Sequence, residues 1–199
     1  MCAHHRPSNA TYIWTQPDSS GRNQVALFRR SFELTEEPAH ATLHLFADTR
    51  YRLTINGIIV GHGPARFKKG FPEYDSHDIA PLLQNGENVI AVTVCSYGWE
   101  TFITDPSLGG LAAWGTVETP ADSIVLSTNN GDWKASNQSG YVSDTPLMSF
   151  ALGMTEDVDT REIPSGWDSP GFDASNWQAA SVIENQDNYQ PVIFPRMLK

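Results

Sequence analysis

Apolar and polar residues alternate along much of the chain. The alternation is regular in residues 41–47 and 51–55, and it extends over the longer stretch Gln24–Leu34, where Arg30 falls on the otherwise apolar face. A period of two is typical of a β-strand that buries one of its faces. We therefore predict a strand in each of these three segments.

A β-hairpin is predicted where Asn56-Gly57 separates two such runs, because the apolar residues 58–60 follow directly. Both central residues of a type I′ turn need a positive φ, which Asn and Gly adopt most readily. Asn-Gly between two alternating runs is therefore a strong signal for a two-residue turn.

A second turn is predicted at Asn85-Gly86, and it opens residues 88–95. These residues are apolar at nearly every position rather than at every second one. Such a run is typical of a strand that is covered on both faces.

The remaining elements are also short. Further strands are predicted at residues 111–117, 123–127 and 190–194, and one helical turn at residues 78–83. Short strands separated by turn residues, without a long amphipathic helix, indicate an all-β sandwich. We predict a single sandwich domain over residues 1–199, with its ordered core at about residues 12–194.

The charge of the chain limits its partners. The net charge is −10 at neutral pH. Binding to nucleic acid or to anionic lipid needs a basic face, so we expect neither as a partner. The longest apolar stretch is far shorter than the ~18 residues of a membrane-spanning helix, so no membrane span is expected.

The two cysteines, Cys2 and Cys95, are too few for a disulfide scaffold, and we expect Cys95 to be a buried thiol. No apolar signal-peptide core follows the first residues. We expect a cytoplasmic location, or secretion if the natural protein carries a leader that this sequence lacks. The sequons that begin at Asn9 and Asn137 would matter only in the secreted case.

The most chemically suggestive segment is the acidic run Glu156, Asp157 and Asp159, followed by Arg161. Three interpretations are open. The run is a solvated loop in which Arg161 pairs with a carboxylate. Alternatively, it contacts a sugar or Ca²⁺, with Asp157 and Asp159 among the oxygen ligands that calcium prefers. In the third interpretation, two carboxylates form the acid/base pair of a glycosidase. Spacing alone does not separate these three.

Other catalytic signatures are absent from the sequence. It contains no phosphate-binding loop and no G-x-S-x-G, H-E-x-x-H or C-x-x-C motif, and its histidines lack the spacing of zinc ligands. The aromatic residues offer a different chemistry, because flat rings stack on the C–H faces of sugars. Trp99 follows the buried strand and so lies in a loop at a sheet end, where binding residues concentrate. We expect Trp133 and Trp177 to pack in the core.

Several stretches resemble the N-terminal sandwich domains of bacterial α-L-rhamnosidases. Residues 47–57 (ADTRYRLTING) and 60–66 (VGHGPAR) carry the resemblance first, and residues 74–91 continue it. These stretches also recur in the wider group of sugar-binding jelly rolls that are attached to glycoside hydrolases.

A downstream motif is more specific to rhamnosidases. Residues 155–161 (TEDVDTR) and 166–177 (GWDSPGFDASNW) are similar to the family pattern G-E-x-Y-D-A-R followed by G-W-D-x-P-G-F-D-D-S-x-W. Four positions depart from that pattern: Thr155, Val158, Thr160 and Ala174. The spacing and the charged members are kept, and the resemblance covers residues 12–194.

The resemblance implies a jelly-roll β-sandwich without catalytic residues, attached to a glycoside hydrolase whose catalytic carboxylates lie in a separate helical barrel. It implies that Glu156, Asp157 and Asp159 contact sugar hydroxyls, that Arg161 orients them, and that Trp99 is a stacking platform. Asp157 and Asp159 would also be the Ca²⁺ ligands, and no cofactor is required. The implied partners are a carbohydrate, such as a rhamnose-containing glycan, and the catalytic domain of the same polypeptide. Two alternatives are a purely structural domain packed on that catalytic domain and a small self-contained glycosidase.

Overall fold

The computed structural model describes residues 10–67, 72–102, 104–129, 131–183 and 194–196, which form a sandwich of β-sheets. Its strands, numbered along the chain, are β1 (Ile13–Trp14), β2 (Gln24–Leu34), β3 (His40–Asp48), β4 (Arg50–Ile55), β5 (Ile58–Gly63), β6 (Glu73–Asp78), β7 (Gly86–Ser96), β8 (Gly110–Glu118), β9 (Ser123–Val125), β10 (Lys134–Ser136), β11 (Leu147–Ser149), β12 (Gly153–Met154), β13 (Gln178–Ala179), β14 (Ser181–Val182) and β15 (Phe194–Pro195). The helical segments of the described residues are two short 3-10 turns, Ala80–Leu82 and Thr160–Glu162.

Two large sheets carry the fold. The first has seven strands in the order β14-β1-β8-β3-β6-β15, with β9 paired to β8. The second has six strands in the order β13-β10-β2-β7-β4-β5. Pairing is antiparallel except between β15 and β6. The longest pair, β2 with β7, stays in register from Gln24 opposite Ser96 to Leu34 opposite Gly86.

The core lies between the two sheets. Leu43 and Leu45 enter it from the first sheet, and Phe28, Leu53 and Ile90 enter it from the second. All five are fully buried. Because side chains of a strand alternate between its faces, the period of two in the sequence places these residues together. The strands predicted at residues 24–34, 41–47 and 51–55 are confirmed.

The outer face of the second sheet is covered by the segment 163–177. Leu27 of β2 and Val89 of β7 point outward and pack against Trp167 and Trp177. The two indole rings stack with their centroids 5.9 Å apart. β7 is therefore covered on both faces, as its continuous apolar run predicted, and this half of the rhamnosidase-like motif acts as a cover for the sheet.

Arg29, on the outer face of β2, fixes this cover in place. Its side chain is only 3% exposed. One terminal nitrogen donates to the carbonyl oxygens of Trp167 at 2.8 Å and Ser169 at 2.9 Å. The other donates to Glu87 Oε1 at 3.0 Å, and Glu87 Oε2 in turn accepts from Gly171 N–H at 2.7 Å. The cover is thus attached to the sheet by a buried polar network as well as by stacked rings.

The predicted hairpin joins β4 to β5 through Asn56 and Gly57, whose φ values are 50° and 81°. Two positive φ values are those of a type I′ turn, so the prediction is confirmed. The turn also touches the cover, since Gly57 N–H donates to the Asp168 carbonyl at 2.9 Å. A Cβ at Gly57 would lie 2.6 Å from Ser169 Oγ, so a side chain at this position would force Ser169 to move.

Two predicted elements are shorter in the structure. The strand predicted at 123–127 is shorter (β9), because the pairing becomes irregular where Leu126 N–H donates to the Gly115 carbonyl at 2.8 Å. The helical turn predicted at 78–83 is confirmed as the 3-10 turn Ala80–Leu82. Residues 190–193 of the last predicted strand lie outside the described residues.

Arg30 and Cys95 both lie near the core, but they differ in burial. Arg30 is buried on the inner face of β2 and reaches Asp132, with Nη2 at 3.0 Å from Oδ2. Cys95 is half-buried, and burial raises the pKa of its thiol to about 11. Cys2 lies outside the described residues.

Within the part of the chain that the structure describes, no helix is long and apolar enough to span a membrane.

Candidate functional site

The acidic run lies on an irregular segment beside the loop that follows β10. Val142 N–H donates to the Asp157 carbonyl at 2.9 Å, and Asp159 N–H donates to the Gly140 carbonyl at 2.8 Å. Gly140 has a φ of +73°, and a Cβ there would lie 2.5 Å from the Asp159 carbonyl oxygen. Glycine therefore permits the close approach that holds the acidic segment against this loop.

Asp159 and Arg161 form an ion pair at the start of the second 3-10 turn. The carboxylate accepts from the Arg161 backbone N–H at 3.0 Å, from Nε at 2.8 Å and from Nη2 at 2.5 Å. The Arg161 side chain is the main cause that holds the pKa of Asp159 below its ordinary value, and the backbone N–H adds to it. The structure therefore shows Arg161 as the partner of a carboxylate, as the first interpretation of the acidic run proposed.

An open cleft of about 520 Å³ lies where the acidic segment meets the loop. We call it the acidic cleft, and define it by Tyr141, Val142, Asp157, Asp159 and Arg161, which line it. The exposed carboxylate of Asp157 has no hydrogen-bond or ion-pair partner among the described residues. Glu162 and Val158 line it too, so the cleft presents two free carboxylates, Asp157 and Glu162, next to an ion pair and three exposed side chains, Tyr141, Val142 and Val158.

Glu156 does not line the acidic cleft. Its side chain is exposed, and its negative charge contributes to the raised pKa of the Cys95 thiol. The structure therefore joins two of the three acidic residues that the sequence grouped.

Trp99 is 42% exposed and lies apart from the residues that line the acidic cleft. The guanidinium carbon of Arg22 sits 4.8 Å from the centroid of the indole, and Arg22 itself pairs with Asp144. Arg22 thus covers one face of the ring with a cation. This pairing joins residues far apart in the chain, and no local pattern in the sequence signals it.

The other tryptophans named from the sequence are core residues. Trp133 is 1% exposed and Trp177 is 7% exposed, which confirms the expectation for both.

Sequence reasoning did not single out Tyr141 and Val142, which complete the acidic cleft. Both are exposed, and Tyr141 forms an isolated β-bridge with Val158 of the acidic segment. The sequence feature that could have indicated this contact is Gly140, because a glycine can adopt a positive φ and lets two backbones approach closely.

A cluster of exposed apolar side chains was also not predicted from the sequence. Phe102, Met148, Phe150 and Leu152 are 65%, 60%, 52% and 71% exposed. The loops that carry them are joined, because Phe102 N–H donates to the Phe150 carbonyl at 2.8 Å. We call these four residues the apolar loop patch.

The acidic residues do not by themselves fit a resident calcium ion. Calcium takes about six to eight oxygen ligands. Asp159 is already engaged by Arg161, which leaves Asp157 and Glu162 as the free carboxylates of the acidic cleft, and two carboxylates fall well short of that number. Across the ranges that the structure describes, no group of three or more His, Cys, Asp or Glu side chains is arranged to hold a metal ion.

Comparisons with known proteins agree with this fold. Residues 36–193 match the alpha-L-rhamnosidase N-terminal domain family. An alpha-L-rhamnosidase of Streptomyces avermitilis is 29% identical over an alignment of 181 residues, and the match covers 85% of this chain and 16% of that protein. The chain thus spans about one sixth of the length of this relative.

Solved structures show the same architecture. A GH78 family rhamnosidase of Bacillus sp. GL1 superposes with a TM-score of 0.81 at 34% identity, covering 96% of this chain and 20% of that chain. A lectin from Pleurotus ostreatus in complex with GalNAc superposes with a TM-score of 0.60 at 19% identity, covering 96% of this chain and 47% of the lectin, and this likeness is one of fold. The all-β jelly-roll sandwich predicted from the sequence is confirmed. Because the family match covers most of its length, the chain belongs to the alpha-L-rhamnosidase N-terminal domain family.

Proposed function

We propose that this chain is a non-catalytic carbohydrate-binding domain of a longer α-L-rhamnosidase-like glycoside hydrolase. The observation that carries the proposal is the free carboxylate of Asp157 beside the Asp159–Arg161 pair in the acidic cleft. Carboxylates accept hydrogen bonds from sugar hydroxyls, and a guanidinium donates hydrogen bonds to the oxygens of those hydroxyls. Tyr141 supplies an exposed ring for the C–H face of a sugar.

The family and the length of its members support an accessory role. The chain spans 16% of the Streptomyces relative and 20% of the Bacillus rhamnosidase. On this proposal the rest of such a polypeptide carries the catalytic carboxylates, and the sandwich brings the enzyme to a rhamnose-containing glycan. The lectin of the same fold binds GalNAc, which is consistent with sugar recognition by a sandwich of this kind.

The Asp159–Arg161 pair argues against Asp159 as the general acid of a glycosidase. A glycosidase needs one carboxyl group with a raised pKa, so that it is protonated and can act as the general acid. Arg161 shifts the pKa of Asp159 in the opposite direction and keeps that carboxylate ionised. We expect the purified chain to hydrolyse no p-nitrophenyl α-L-rhamnopyranoside above background. Turnover that is lost in Asp159→Asn or Glu156→Gln would contradict this expectation.

Calorimetric titration with L-rhamnose tests sugar binding at the acidic cleft. We expect the wild-type chain to bind, and Asp157→Asn to weaken binding about tenfold, since a charged hydrogen bond is replaced by a neutral one. Glu156→Gln is the matched control, because it removes the neighbouring charge without touching the cleft. Parallel titrations with calcium and with a chelator would show whether the metal assists. Equal affinities of wild type and Asp157→Asn would refute the assignment of this site.

A purely structural role is the second candidate, and the apolar loop patch favours it. Contiguous exposed apolar side chains usually mark a surface that another protein surface covers. The partner would be the catalytic domain of the same polypeptide. Sedimentation velocity tests the patch, because the isolated chain should self-associate through it and the double variant Phe150→Ser/Leu152→Ser should not. A wild-type chain that stays monomeric at high concentration, together with measured sugar binding, would leave the carbohydrate role as the better account.

A further inference from the structure

A second cleft, with a volume of about 250 Å³, lies at the edge of the second sheet. Five amide side chains line it: Gln16, Asn137, Gln138, Asn176 and Gln178. Trp177 also lines the cleft, and the ring of Trp177 stacks on Trp167 within the cover. We call this feature the amide cleft. Its amides come from three separate parts of the chain, which only the folded structure brings together.

The amides of this cleft are free to bind a ligand. All five side chains are exposed, and none of them donates to or accepts from another group among the described residues. Each amide offers two N–H donors and one carbonyl acceptor. The backbone around them is fixed, since Gln138 N–H donates to Ser136 Oγ at 3.1 Å and Ser139 N–H donates to the Asn137 carbonyl at 2.8 Å. Paired donors and acceptors on a fixed backbone suit a ligand that both donates and accepts.

The charge of the cleft defines the ligand further. The lining contains no charged side chain, although the chain carries a net charge of −10. An ionised ligand would find no counter-charge here, and an anion would also meet the overall negative field. A neutral polyhydroxyl molecule matches the lining, because each hydroxyl donates and accepts one bond and the C–H groups can contact the edge of Trp177.

The amide cleft and the acidic cleft are neighbours. One loop borders both, since Asn137 and Gln138 line the amide cleft whereas Gly140 and Tyr141 line the acidic cleft. Ser139, between them along the chain, is buried. Gln138 and Tyr141 are three positions apart along the chain, so their Cα atoms are at most about 10 Å apart. A short oligosaccharide can extend over that distance.

We propose that the amide cleft is a second subsite, which binds a neutral sugar residue. That this residue belongs to the same glycan as the sugar in the acidic cleft rests on the proposed function. The neutral-sugar assignment of the amide cleft itself rests on its own lining.

The side-chain amides report on this site directly. In ¹H–¹⁵N correlation spectra of the full chain, we titrate L-rhamnose and a neutral rhamnose tetrasaccharide, with D-glucuronate as the charged control. The side-chain NH₂ signals of Gln138, Asn176 and Gln178 should shift with the neutral sugars and not with D-glucuronate. Gln138→Glu keeps the size of the side chain but replaces the donor with a charge, and it should weaken tetrasaccharide binding at least about fivefold. Asn85→Asp, at an exposed amide on another loop, is the matched control and should leave the affinity unchanged.

Each outcome decides the proposal. Shifts of the amide signals with neutral sugars support it, whether or not the backbone signals of Asp157 and Arg161 shift as well. If the amide signals shift alone, the amide cleft stands while the acidic-cleft proposal fails. Shifts confined to Asp157 and Arg161, an equal response to D-glucuronate, or unchanged affinity in Gln138→Glu would overturn the second subsite and leave the first. The absence of any shift would overturn both.

Discussion

Replacing Arg29 with methionine should detach the cover of the second sheet. Methionine keeps much of the length and the apolar contact of the side chain but removes every hydrogen bond. The carbonyl oxygens of Trp167 and Ser169 then lose their donor, which stood at 2.8 and 2.9 Å. Glu87 loses the guanidinium at 3.0 Å, although it still accepts from the backbone of the cover.

The expected cost follows from these lost bonds. A buried acceptor left without a donor costs about 1–3 kcal/mol, which applies in full to the Trp167 carbonyl and in part to the half-buried Ser169 carbonyl. Glu87 is 31% exposed, so water compensates most of its loss and adds little to the total. We therefore expect Arg29→Met to lower the free energy of unfolding by about 3 kcal/mol. At about 2–4 °C per kcal/mol for a chain of this size, the melting temperature should fall by about 6–12 °C.

Urea unfolding followed by tryptophan fluorescence measures this cost, because Trp167 and Trp177 lie in the cover itself. Arg52→Met is the matched control: Arg52 is an exposed arginine on β4 whose hydrogen bond to Thr93 Oγ1 is long, at 3.4 Å. The control should change stability by less than about 0.5 kcal/mol. If Arg29→Met and Arg52→Met unfold at the same urea concentration as wild type, Arg29 does not hold the cover and the reasoning is wrong.

Three further predictions use the same stability assays. Gly57→Ala and Gly131→Ala both place an alanine at a positive φ (81° and 74°), which costs about 1–2 kcal/mol in each variant. The new Cβ meets a neighbouring atom only at Gly57, so Gly57→Ala should be the less stable of the two. Equal losses of stability would contradict the contact between Gly57 and Ser169. Burial lowers the pKa of His77 below its ordinary value of 6.5, so the unfolded chain binds the proton more readily than the folded chain. Stability should therefore fall as the pH drops below 6.5, and His77→Gln should flatten this fall in thermal melts. An unchanged pH profile in His77→Gln would show that His77 does not cause the fall. The pKa of Asp159 is lowered, so its pairing with Arg161 stabilises the fold at neutral pH, and this stabilisation is lost as the pH falls through the lowered pKa. Arg161→Ala should therefore melt at a lower temperature than wild type at neutral pH and at the same temperature in strong acid. A constant difference in melting temperature across the pH range would refute the pairing.

Local patterns were enough to predict the longest strands. The bounds predicted for Gln24–Leu34 are those of β2, because period-two alternation is a property of the segment itself. The Asn56-Gly57 turn was predictable for the same reason, since two adjacent residues set its geometry. Arg30 was the weak point of the first pattern, because its burial depends on Asp132, far along the chain.

The candidate site was predictable only where its contacts are local. Asp159 and Arg161 are two residues apart, so their pairing could be inferred from spacing. Trp99 was grouped with them as an exposed aromatic residue, but its neighbour is Arg22, from a distant segment. The amide cleft was not recognised, since its members are separated by long stretches of chain and form no motif. Long-range packing decides such contacts, and a single sequence does not encode it in a readable pattern.

A crystal of the chain soaked in L-rhamnose tests the central claim most directly. We expect electron density for a sugar in the acidic cleft, with its hydroxyls within hydrogen-bonding distance of the Asp157 carboxylate and the Arg161 guanidinium. A soaked crystal in which this cleft is open to solvent yet holds no sugar, or in which the sugar binds only elsewhere on the domain, would contradict the account.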